Sequence, residues 1–97
     1  MFDPKKIFDM LKNAGEMQKN IQEKLKNQKA QGVAGGDMVK VDMNGNFEVE
    51  AIFIDESVLK DRDFLQDLVK SAVNDATSQL RTQMSEHLKA IMPGFGA

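Results

Sequence analysis

The sequence predicts an α+β fold: a long N-terminal helix, a small antiparallel sheet of two or three strands and a long C-terminal helix, in a homodimer with projecting helical arms. Three observations carry this expectation. Apolar residues recur at steps of three, four and seven over residues 7–25 and again over 64–91, as in amphipathic helices. Between them Val39, Val41 and Met43 alternate with polar residues, as in a half-buried strand. Asn44-Gly45 then announces a turn. At 97 residues the chain is sized for one domain, read as a first helix over 1–31, strands over 32–55 and a C-terminal helical segment and tail over 56–97.

The first helix starts at Asp3-Pro4, because Asp can accept free amides while Pro at the first helical position loses no needed donor. Phe2 and Ile7 stand where a hydrophobic staple would join them. Ile7, Leu11, Ala14, Ile21 and Leu25 then form one face, interrupted by Gln18 and widened by Met10 and Met17. The pattern predicts about 25 residues of helix ending before Gly32. Gly15 inside it costs about 1 kcal/mol against Ala, and so marks a bend or a close backbone approach.

The hairpin needs a register. A two-residue loop at Asn44-Gly45 would put the apolar faces of its two strands on opposite sides of the sheet, so it fails. A three-residue loop, Met43-Asn44-Gly45 with Gly45 as a left-handed bulge residue, instead sets Val41 opposite Phe47, Val39 opposite Val49 and Lys40 opposite Glu48. The preceding "GVAGG" supplies a candidate edge strand, weakened by its glycines.

After the charged, turn-like "DESVLKDRD", Phe64, Leu65, Leu68, Val69, Ala72, Val73 and Ala76 make an apolar face wide enough to cover a sheet. Beyond it only Leu80, Met84, Leu88 and Ile91 continue, until Pro93-Gly94 stops the helix. Thirty residues of helix reach about 45 Å, far beyond the ~13 Å radius of gyration of a compact domain of this size. The narrow stripe is therefore expected to pack on a second copy, with Leu80, Met84, Leu88 and Ile91 as the dimer interface. Asn74 falls opposite the apolar face and Asp75 on its flank, and simple exposure is expected for both.

Composition excludes several function classes. The chain has no cysteine, which removes disulfides, thiolate metal sites and cysteine nucleophiles and fits a reducing cytosol. His87 is the one histidine and has no second metal ligand at a credible spacing. "DESVLKDRD" lacks the glycine and ligand order of a calcium loop. No nucleophile–base pair or phosphate loop is present, so neither an enzyme nor a cofactor nor a small-molecule substrate is expected. No stretch is apolar for long enough to span a bilayer, and Asp3 precedes any apolar run, so neither anchor nor signal peptide is expected.

The formal net charge of −2 hides an uneven distribution. Residues 1–36 hold seven lysines against four acids, residues 37–63 three bases against eight acids, and the remainder balances three against three. Within the basic end the pair Lys-Asn occurs three times at a spacing of seven, near two helical turns, so Lys12, Lys19 and Lys26 fall on one stripe that Lys5 extends. Such lysines could displace counterions from phosphates, with Asn13, Asn20 and Asn27 bonding phosphate or a base edge. Asp9, Glu16 and Glu23 stand three residues before three of these lysines, so an ordinary face of helical ion pairs is the competing reading. Arg81 and Lys89 on the last helix are further candidates for DNA contact.

The segments "MLKNAGEMQKNIQEKL", "MVKVDMNG", "IFIDESVL", "DLVKSAVNDA" and "MPGF", in this order and spacing, give a chain that resembles the YbaB/EbfC family of nucleoid-associated proteins over nearly its whole length. The resemblance implies a tweezer-shaped homodimer, cytoplasmic and associated with the nucleoid, that binds duplex DNA and bears on DNA conformation and gene expression. Glu56 departs from the proline common in the family after "ID". With an acidic chain overall, binding is expected to be modest and salt-sensitive. Two rivals stand beside it. One is a dimeric protein-interaction scaffold whose lysine stripe is only solvated. The other is membrane-surface binding through Phe8, Met10 and Met17 with the lysines, which the regular acids of that helix disfavour.

Overall fold

The computed structural model describes residues 3–91, in the order helix α1 (Pro4–Asn27), strands β1 (Lys29–Ala34), β2 (Val39–Asn44) and β3 (Val49–Ile54), a 3-10 turn (Glu56–Val58) and helix α2 (Arg62–Ile91). The α+β class and the two long helices match the expectation from sequence. Phe2, Pro93 and Gly94 lie outside the described residues. Asp3 caps α1, its carboxylate accepting the Lys5 N–H at 3.0 Å, with Pro4 in the first turn. The helix runs 24 residues and ends at Asn27, before Gly32 as expected, because Gln28 turns extended and the chain enters the sheet at once.

The three strands form one antiparallel sheet in the order β1-β2-β3. Between β1 and β2 the chain reverses through Gly35, Gly36 and Asp37, all at positive φ, a conformation glycine adopts without steric cost. Gly32 in β1 answers to a different need. A Cβ there would lie 2.6 Å from the Ala76 nitrogen and closer still to the Ala72 carbonyl oxygen, so only glycine lets the strand meet α2 at this distance. Gly15 has nothing within 4 Å of a would-be Cβ, so no close approach within the chain explains it.

The hairpin is bulged, but the register expected from sequence is wrong. Val39 lies opposite Ile54, Lys40 opposite Phe53, Val41 opposite Ile52 and Met43 opposite Val49. The turn is longer than three residues because buried Asn44 organises it. Its side-chain oxygen accepts the N–H groups of Asn46 (2.9 Å) and Glu48 (3.2 Å), and its own N–H donates to the Glu48 carbonyl at 3.0 Å. Phe47, not Gly45, takes the left-handed conformation, with φ 60°. The register shift falls where Asp42 faces Ala51 and Met43 faces Val49, leaving Glu50 as the extra residue of β3. Beyond that bulge Ile52 and Ile54, rather than Ala51, share the inner face with Val41 and Val39.

Helix α2 lies across β1 and β2 and scarcely touches β3. Val39, Val41, Val58, Leu68 and Ala72 form one buried cluster; Ala30, Met43, Ala76 and Leu80 form the next along the helix. Each fully buried Val or Leu contributes about 1.5–3 kcal/mol relative to exposure. Phe64, expected on the apolar face, remains exposed on its flank. Leu80 is completely buried in its own chain and has no surface left for a partner, which corrects its assignment to a dimer seam. The cause is the early start of β1: the strand begins three residues before Gly32, and Ala30 on its inner face keeps α2 covered as far as Leu80.

Asp75 also departs from simple exposure. Its carboxylate accepts the backbone N–H of Val33 at 3.0 Å, and Gln79, bonded to that carboxylate at 3.2 Å, donates to the Gln31 carbonyl at 2.8 Å. Two α2 side chains thus occupy main-chain groups on the outer edge of β1. Asn74 is exposed as expected.

Candidate nucleic-acid interface

Helix α1 buries none of its residues and meets the rest of the chain chiefly at β2. Its attachment is specific. The Gly45 N–H donates to the Leu25 carbonyl at 2.7 Å, and a Cβ on Gly45 would come 2.5 Å from that same oxygen, so the glycine is needed for this contact rather than for a left-handed turn. Gln28 adds a side-chain bond to Gln83 of α2 at 2.7 Å, tying the roots of the two helices together. From there α1 projects, and the molecule measures 70 × 31 × 16 Å.

Lys5, Lys12, Lys19 and Lys26 are all exposed along this projecting helix, as are Asn13, Asn20 and Asn27. At 3.6 residues per turn the lysine stripe lies about 140° round the helix from the face of Ile7, Leu11, Ala14, Ile21 and Leu25, so the charged and apolar faces point apart. Lys5 to Lys26 covers about 32 Å at ~1.5 Å per residue. Among the described residues the ion pairs are Lys29 with Glu50 and Arg62 with Asp63; Asp9, Glu16 and Glu23 stand on the same helix as the stripe without closing an ion pair to it. Arg81 and Lys89 are exposed on α2.

The structure adds one residue to the stripe that the sequence pattern missed. Asn46, at the tip of the β2–β3 turn, lines a shallow notch with Lys19, Gln22, Glu23 and Lys26. No local signal could have found it, since the approach depends on how the turn docks beneath α1.

The expected dimer residues are scattered. Leu80 is core; Met84 lines a cleft against Ile21 and Leu25 of its own α1, with His87 beside it; Leu88 is exposed; and the side chain of Ile91 lies outside the described residues. The titration of Asp55 is displaced. It caps the 3-10 turn, and the Ser57 backbone N–H, then the Ser57 side chain, hold its carboxyl below the usual carboxylate range.

Comparison with known proteins agrees with the segment order. The profile of the YbaB/EbfC DNA-binding family matches residues 3–95. A nucleoid-associated protein of Bartonella tribocorum is 37% identical over 96 residues, covering 94% of this chain and 90% of its own. One from Nitrobacter hamburgensis is 38% identical, covering 93% of this chain and 90% of its own. The crystal structure of an uncharacterized protein from Helicobacter pylori superposes with a TM-score of 0.70 at 25% identity, covering 94% of this chain and 98% of that one. The chain therefore belongs to the YbaB/EbfC DNA-binding family.

Proposed function

We propose that the protein acts as a homodimer that binds duplex DNA at the nucleoid, in the cytoplasm, mainly through phosphate contacts. Lys5, Lys12, Lys19 and Lys26 make those contacts, with Asn13, Asn20, Asn27, Arg81 and Lys89 in support, and the consequences fall on DNA conformation and gene expression. The observation that carries the reading is the row of four exposed lysines, none of them in an ion pair among the described residues, on a helix that projects from the fold. Their ~32 Å span is close to the ~34 Å of one duplex turn, so a single stripe can follow one face of the double helix.

Two quantities support the dimer. The radius of gyration is 19.7 Å, against about 12.5 Å for a compact domain of this length. The accessible surface is 7713 Å², against roughly 5,500 Å² for a globular monomer of this mass. The excess, roughly 2,200 Å², is well above the ~800 Å² that a standard interface covers on each partner and falls in the range of large obligate dimers, about 1,000–2,500 Å² each.

Gel-shift titration on duplex DNA, at low and physiological salt, tests the DNA reading with the wild type and Lys12→Gln/Lys19→Gln/Lys26→Gln. Binding that weakens with salt and is lost in a folded, dimeric variant supports the phosphate-facing stripe. Equal binding by both proteins would return the lysines to a solvated face.

A further inference from the structure

We propose that Asn44 is a deamidation site kept closed by the docking of α1, and that conversion of its amide to a carboxylate loosens the arm that had protected it. DNA binding is not required for this, and every readout is of the free protein.

The chemistry starts from the one place in the chain where asparagine precedes glycine. With no Cβ to shield it, a glycine nitrogen can turn toward the side chain of the residue before it. Having lost its proton, the Gly45 nitrogen attacks Cγ of Asn44; the Cγ–Nδ2 bond breaks, ammonia leaves, and a five-membered imide remains. Water then opens that ring at one of its two carbonyls, giving aspartate or isoaspartate. One water is consumed and one ammonia released, with no redox partner.

In the folded chain both reacting groups are occupied. The Gly45 N–H donates to the Leu25 carbonyl at 2.7 Å, which holds its proton and directs the nitrogen at α1 rather than at Cγ. Asn44 is 3% exposed; its side-chain oxygen accepts the Asn46 and Glu48 N–H groups, and its Nδ2 donates to the Glu48 carboxylate at 3.3 Å. Of these restraints only the Leu25 bond comes from outside the turn. It comes from α1, which buries none of its residues. An element so lightly packed opens at a lower free energy than the whole fold. With the arm withdrawn, the nucleophile is free and only bonds within the turn remain.

The product fits the site less well. A carboxylate at position 44 can still accept both N–H groups, but it cannot donate to Glu48 and instead faces that carboxylate across the gap the amide had bridged. Isoaspartate adds a methylene to the main chain just before Gly45, which shifts the N–H away from the Leu25 carbonyl. Either product weakens the anchor of the arm, so one opening event leaves a covalent record.

The test compares two rates in the full-length protein: loss of the Asn44 amide, read by peptide mass mapping at mildly alkaline pH, and hydrogen exchange of the Gly45 N–H. Folded wild type should deamidate at Asn44 at least about tenfold more slowly than the guanidinium-unfolded chain, since a minor open state is populated at about 10% or less. Equal rates would overturn the protection. Below the unfolding transition, Asn44 loss should rise with guanidinium in step with Gly45 exchange. A rise that follows only core amides such as that of Val41 would make global unfolding the gate and overturn the role of α1. Leu25→Gly/Gln28→Ala weakens the α1 root without changing the turn and should raise both rates by one factor; faster exchange without faster deamidation sinks the proposal. Asn44→Asp supplies a product directly. Its Gly45 N–H should exchange about tenfold faster or more, the effect of losing one hydrogen bond to a charged group. Exchange as slow as in the wild type would overturn the loosening.

Discussion

Asp75 accepts the Val33 backbone N–H at 3.0 Å, so a helix side chain serves as the hydrogen-bonding neighbour that edge strand β1 otherwise lacks. Removing it should act in two ways. Asp75→Ala loses one main-chain bond and the anchor of Gln79, an expected cost of about 1–2 kcal/mol in urea unfolding. It also opens the β1 edge, so light scattering should show larger assemblies than the wild type forms at the same concentration. Asp75→Asn, which keeps an acceptor oxygen, should recover much of both. An Asp75→Ala protein with unchanged stability and association would remove the edge-closing role.

Gly32 and Gly15 make a contrasting pair. A methyl group at Gly32 meets backbone atoms of Ala72 and Ala76, which cannot rotate away, so Gly32→Ala should cost at least about 3 kcal/mol and should dislodge α2. Gly15→Ala meets nothing within 4 Å inside a helix and should stabilise by about 1 kcal/mol. Thermal melts of the two variants should move in opposite directions. A destabilised Gly15→Ala would show that a partner, rather than this chain, comes close to that position.

How far the sequence could be read depended on whether a signal was local. The Asp3 cap and the 3.6-residue period of both helices depend on neighbours within one or two turns, and all are present. The β2–β3 register was misread because buried Asn44 closes a longer turn through bonds to Asn46 and Glu48, which an Asn-Gly pair does not disclose. The glycines of "GVAGG" looked like a weakness in a strand. Gly32 is instead the contact that lets the strand form beneath α2, and the earlier start of β1 then puts Leu80 in the core. At the candidate site the lysine stripe was legible from its spacing, whereas Asn46 depends on tertiary docking and was not.

Leu80 and Leu88 separate core from arm. Leu80→Ala leaves a cavity between Ala30, Met43 and Ala76, with an expected loss of 2–5 kcal/mol or about that range. Leu88→Ala removes an exposed side chain near the end of α2 and should stay within about 0.5 kcal/mol. Chemical denaturation at two protein concentrations distinguishes the remaining case. A Leu88→Ala loss that grows on dilution would place the arm at the dimer seam.

The acid limb of stability should contain a contribution from Asp55. Hydrogen bonds from Ser57 favour its charged form, so its folded pKa lies below its unfolded one. The stabilisation is therefore fully present above the unfolded value and fades as pH falls through the depressed folded value. Denaturant midpoints of wild type and Asp55→Ala should differ at neutral pH and converge toward pH 3 and below, in line with carboxylate titration. A constant difference across that range would mean that the cap acts without its charge.

The salt dependence of DNA binding counts phosphate contacts. Each neutralised phosphate contributes about −0.9 to the slope of log affinity against log salt. A dimer carries every stripe lysine twice, so Lys12→Gln should flatten the slope by about 1.8, and the Lys12, Lys19, Lys26 triple variant by about 5. The loss should be similar on unrelated duplex sequences, because phosphate contacts carry no base information. Arg81→Gln/Lys89→Gln provides the comparison on α2. If that double variant flattens the slope more than the triple variant does, the DNA lies against the C-terminal helix and the α1 lysines are a solvated face. If the triple variant dominates, the repeated Lys-Asn pair is the part of this acidic chain that meets the phosphate backbone.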